Sequence, residues 1–101
     1  MALDLFCYSS LELAKVQEIL TAVKIKHVEL FAHKFLISDG RETTEVGKEI
    51  ALEHGMHAQC LFLIRLNDKE VSYRYHEAVV IIKEALGDAN VVILFEGETR
   101  Q

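Results

Sequence analysis

Apolar residues recur with a period of two in some stretches of the chain and with a period of three to four in the stretches between them. Ala2 to Ser9 sets Leu3, Leu5 and Cys7 on one side and Phe6 and Tyr8 on the other, the pattern of a strand buried on both faces. His57 to Leu66 carries the same signal further. Ala58, Cys60, Phe62, Ile64 and Leu66 make one apolar side, while Leu61 and Leu63 hold the middle of the other between Gln59 and Arg65, as in a central strand. Val91 to Phe95 is apolar throughout, and Lys34 to Ser38 reads as a short strand that ends in an Asp39-Gly40 turn.

Helical spacing fills the gaps. Leu13, Val16, Leu20 and Val23, widened by Ile19, predict a first helix, and Ser9-Ser10-Leu11-Glu12 has the Ser-x-x-Glu spacing of a capping box at its start. Ile25 to His33 reads as mostly helical, although Val28, Leu30 and Ala32 also alternate. Thr43 or Thr44 can cap a second helix running to His54, with Gly55 placed to stop it in a left-handed conformation. Asn67 to Glu70 is the turn out of the central strand. Ser72 can cap a third helix, on which Tyr75, Val79, Ile82 and Leu86 share a face and after which Gly87 ends the pattern. The order is βαβαβαβ. It predicts one α/β domain over residues 1–101: a four-stranded, largely parallel or mixed sheet with three helices, joined by right-handed crossovers.

Composition agrees with that picture and narrows the classes. The chain has 101 residues, 50% of them hydrophobic; at this length folding buries roughly two-thirds of the accessible surface, enough for a core without metal or disulfides. Two cysteines form no staple framework, and no secretory leader is evident, so a cytoplasmic location is expected. The apolar runs stop far short of the ~20 residues that span a bilayer. Eleven Lys and Arg against sixteen Asp and Glu give a formal charge of −5, which repels nucleic acid and attracts basic partners.

Catalytic apparatus is hard to find. Cys7-Tyr8-Ser9-Ser10 has the Cys-x-x-Ser spacing of monothiol glutaredoxins at the start of a helix, but the chain has no proline for the substrate-presenting cis bond, and Cys7 points with Leu3 and Leu5 toward a core. A phosphate loop of the low-molecular-weight phosphatase kind would need arginine where Leu13 stands. His54, His57 and Cys60 repeat every three residues and are all metal-ligating types, yet Gly55 breaks the helix between them and no fourth ligand is near, so no metal is expected. His27, His33 and His76 have no matching acid or nucleophile. Neither a Gly-x-Ser-x-Gly elbow nor a glycine-rich phosphate loop occurs, and no cofactor is expected.

Charge is the remaining signal. From Ser38 to His57 five acids, Asp39, Glu42, Glu45, Glu49 and Glu53, face two bases, Arg41 and Lys48, for a local −3. Glu45, Glu49 and Glu53 form a row on the second helix, where like charges four residues apart cost an isolated helix ~0.2–0.5 kcal/mol per pair. Such a row is commonly a solvated face; it is also a docking surface for lysines and arginines. The opposite sign gathers only weakly, at Lys24, Lys26 and Lys34.

A small acidic α/β domain with a carboxylate row and no catalytic residues resembles the immunity proteins that bacteria keep beside a secreted toxin, as in contact-dependent growth inhibition. The resemblance implies a non-catalytic antitoxin that binds and neutralises a cognate basic toxin domain, most simply a nuclease. Asp39, Glu42, Glu45, Glu49 and Glu53 would then steer and anchor, with Tyr73 and Tyr75 as aromatic anchors. Nucleic acid and membrane are not expected partners, and the oligomeric state is open. Two other classes stay open beside it: a thiol-dependent redox protein or transferase using Cys7, and a homo-oligomeric regulatory subunit.

Overall fold

The computed structural model describes residues 3–33, 35–66, 75–95 and 99–101. Tyr73, Ser72 and the expected turn at Asn67 to Glu70 lie outside them. The strands are β1 (Leu3–Ser9), β2 (Phe35–Ile37), β3 (Arg41–Glu42), β4 (Cys60–Leu66), β5 (Val91–Phe95) and β6 (Thr99–Arg100). The helices are α1 (Leu13–Lys26), α2 (Val28–His33), α3 (Glu45–Glu53) and α4 (Tyr75–Leu86), with one turn of 3-10 helix at Asp88–Asn90. Gly55 and Gly87, at φ of 80° and 95°, follow α3 and α4 in the conformation that glycine alone adopts without steric cost.

The sheet runs β2-β4-β1-β5-β6, with β3 also paired to β4, and every pairing is antiparallel. This corrects the expected four-stranded, largely parallel sheet with three helices. The physical reason lies in how the crossovers interleave. β1 and β2 point the same way, and so do β4 and β5, as the helical crossovers require; but β4 inserts between the first pair and β1 between the second. Alternation of strands and helices constrains strand direction and leaves adjacency open. β2 and β3 are in effect one edge strand, because both pair with β4. Three residues, Ser38 to Gly40, oppose two, Phe62 and Leu63, between Ile37↔Ile64 and Arg41↔Leu61. The resulting bulge is tied down by Ser38, whose amide donates to the Leu63 carbonyl and whose Oγ accepts from the Leu63 amide, at 2.9 and 2.8 Å.

Cys7 stands opposite Phe62 and Ile93, and Tyr8 opposite Leu61 and Val92, so the two-sided patterns of β1, β4 and β5 face two different cores. On one side Leu5, Cys7, Cys60, Phe62, Ile64, Val91 and Ile93 meet α1, α2 and α4 through Val16, Leu20, Leu30, Phe31, Val79 and Ile82. On the other, Tyr8, Ala58, Val92 and Leu94 meet α3 through Ala51, with Ile50 alongside. α3 is thus the helix that covers the second face of the sheet.

The capping box does not form. The N-cap of α1 is Glu12, without a side-chain cap bond. Ser9, fully buried, instead accepts from the Leu11 amide at 3.1 Å and donates to the Asn90 carbonyl at 2.8 Å, joining the end of β1 to the start of β5.

Candidate partner-binding site

Thr44 sets the first turn of α3, its hydroxyl accepting from the Gly47 amide at 3.2 Å. Gly47 then lies on the sheet so closely that a Cβ there would stand 2.7 Å from Thr43 Cγ2 and 3.3 Å from Tyr8 Cε1. With Gly47 and Ala51 turned inward, Glu45, Val46, Glu49, Leu52 and Glu53 are turned to solvent. Val46 and Leu52, 66% and 55% exposed, give this face two aliphatic groups among the carboxylates. They are the residues the charge pattern alone overlooks; the available signal was their position out of phase with the buried stripe of the helix.

Beside α3, where the chain enters β4, two adjoining hollows share Lys48, Ala58 and Gln59. The larger, of about 400 Å³, adds Glu45, Glu49, Leu52 and His57. The smaller, of about 340 Å³, adds Leu13, Glu42 and Thr43. Three of the five acids therefore meet at one cleft. Lys48 Nζ lies 3.9 Å from Glu45 Oε1, an exposed and weak pair. Asp39 stands apart on the bulge and reaches Lys24 Nζ at 4.0 Å. Among the described residues Glu42, Glu49 and Glu53 make no ion pair. Tyr75 belongs to the opposite layer, half-buried against Phe95 with ring centroids 5.7 Å apart.

The other candidate chemistry disperses. Cys7 is fully buried, its thiol aimed at the Leu5 carbonyl, and burial pushes its pKa far above the ordinary thiol range. His57 is exposed at the cleft, His54 caps the end of α3, and Cys60 is buried on the far face of the sheet. No group of three metal-ligating side chains converges among the described residues. No helix there is long and apolar enough to cross a membrane.

A helix face that sets exposed aliphatics among carboxylates is a candidate protein-binding surface. Comparison with known proteins says of which kind. A family model for the CDI system immunity component matches residues 1–99, and the chain belongs to that family. It is similar to the immunity protein CdiI-2 of Burkholderia pseudomallei (strain 1026b), with 38% identity over 101 residues and full coverage of both chains. It also matches a chain of the solved CdiA-CT/CdiI toxin and immunity complex from Burkholderia pseudomallei, at a TM-score of 0.92 and 36% identity, covering 97% of this chain and 95% of that one. The chain is an immunity component and not an enzyme.

Proposed function

We propose that this protein neutralises a cognate toxin domain by binding it through the outer face of α3, and that the toxin surface it meets is basic. The observation that carries the reading is the outward row Glu45, Glu49 and Glu53, interleaved with exposed Val46 and Leu52. Glu45, in the first turn, suits the dipole of the helix, but the row as a whole is not there to serve it. Glu53 occupies the last turn, which contains no basic residue and where a negative charge opposes the helix dipole. Glu42 extends the acidic surface from β3, and Asp39 contributes at longer range. Carboxylates of this kind raise the encounter rate and fix the register, while the aliphatic side chains exclude water from the contact. The relative solved in complex with CdiA-CT supports a toxin partner. A nuclease is the toxin class that best suits an acidic inhibitor, since its own substrate is a polyanion, and the cytoplasm is where such a toxin would be met.

The test is the triple variant Glu45→Lys, Glu49→Lys and Glu53→Lys, titrated calorimetrically with the cognate toxin domain. All three side chains are exposed, so the fold is expected to persist, checked by circular dichroism. Affinity is expected to fall by about a hundredfold or more, in line with charge pairs at electrostatically driven interfaces. Unchanged affinity would remove α3 from the interface.

A further inference from the structure

We infer that the cleft beside α3 is a socket for one arginine side chain of the bound partner, an inference that rests on the toxin-binding reading of that helix. Its walls and rim differ in character. Leu13, Leu52 and Ala58 line it with aliphatic surface suited to a methylene stem, while Glu42, Glu45 and Glu49 supply carboxylates that only a cation would neutralise.

A second observation is independent of charge. Thr43 lines the smaller hollow, is 8% exposed, and holds the buried side-chain oxygen that has no hydrogen-bond partner among the described residues. Buried hydroxyls are ordinarily bonded, so one left over in the lining of this hollow has a lone pair free for a donor that a partner brings. Its own backbone amide is already committed to the Gln59 carbonyl at 3.2 Å. Several acceptors in one cleft suit the five-donor guanidinium fork better than the point charge of lysine. Lys48, the cation that the chain itself places in the cleft, is held among the described residues by a 3.9 Å approach to Glu45 and can turn out to solvent when a guanidinium enters.

Two measurements test this separately from the reading it rests on. In an NMR titration of the whole protein with N-acetyl-arginine amide, the Thr43, Lys48 and Gln59 amides are expected to shift, and the uncharged citrulline analogue is expected to leave them in place. Equal response to the two probes overturns the socket, whatever the toxin does. With the cognate toxin domain, Thr43→Val and Glu42→Gln are each expected to weaken binding about tenfold, as loss of a hydrogen bond to a charged group does. Glu84→Gln, an exposed carboxylate on α4 across the sheet from the cleft, is expected to change it less than about twofold. Because the Thr43 hydroxyl has no partner among the described residues, the valine variant is expected to keep its melting temperature. If both cleft variants bind like the parent while the triple lysine variant does not, the socket is overturned and the α3 surface stands. If the triple variant also binds normally, both are overturned.

Discussion

Cys7 sits without exposure on the face of the sheet that α1, α2 and α4 cover, and its chemistry follows from that position. Burial favours the neutral thiol, so its folded pKa lies above the 9.0 of an unperturbed thiol, and the folded protein holds a proton that the unfolded chain releases. The resulting stability is fully present below about pH 9 and is lost as pH rises above it, reaching about 1.4 kcal/mol at pH 10. Cys60 and Tyr8, both raised by burial, act in the same direction. Urea unfolding should therefore show the stability gap between the parent and Cys7→Ala narrowing by about 1.4 kcal/mol between pH 7 and pH 10. Iodoacetamide at neutral pH should leave Cys7 unmodified until denaturant is added; rapid modification of the native protein would contradict its placement. The direction of Cys7 was legible because strand alternation put it with Leu5. Ser9 was not legible. Its partner, the Asn90 carbonyl, is 81 residues away, and the local Ser-x-x-Glu spacing offered a cap that the chain does not use.

At the level of elements, period and punctuation located every long strand and helix, because burial of one or both faces leaves its spacing in the sequence. Edge pieces escaped. β3 is two exposed residues, Arg41–Glu42, recruited by β4 through the Ser38–Gly40 bulge, and neither residue carries a strand signal. Parallel neighbours were expected where antiparallel ones occur, since two interleaved crossovers give the same alternation as two consecutive ones. Of the candidate site, the glutamate row was readable, while the cleft was not: it needs Leu13, Glu42 and Gln59 from three separate elements. Gly47 was also silent, though it decides how closely α3 approaches the sheet. Gly47→Ala, despite the better helix propensity of alanine, should destabilise the protein by about 1–2 kcal/mol, because the buried, β-branched Thr43 and the Tyr8 ring leave no room for a methyl group. A lower urea midpoint checks it, and an unchanged or higher one would mean that α3 can lift away freely.

Over the whole molecule the charge is −5, and the Ser38 to His57 segment, spread over the bulge, β3 and α3, alone carries −3 of it. An attractive field of that kind acts on a basic toxin before contact, so its signature is in the association rate. The Debye length shrinks from about 30 Å at 0.01 M salt to about 8 Å at 0.15 M, and the parent's association rate should fall by an order of magnitude or more across that range. Reversing Glu45, Glu49 and Glu53 changes the formal charge by +6, from −5 to +1, and the segment from −3 to +3. Attraction then becomes local repulsion, which salt relieves. In stopped-flow measurements the salt slope of the triple variant should therefore change sign, not merely flatten. A slope that stays negative and parallel to the parent's would place the steering charges elsewhere on the surface, even if the variant's affinity had fallen through lost contacts.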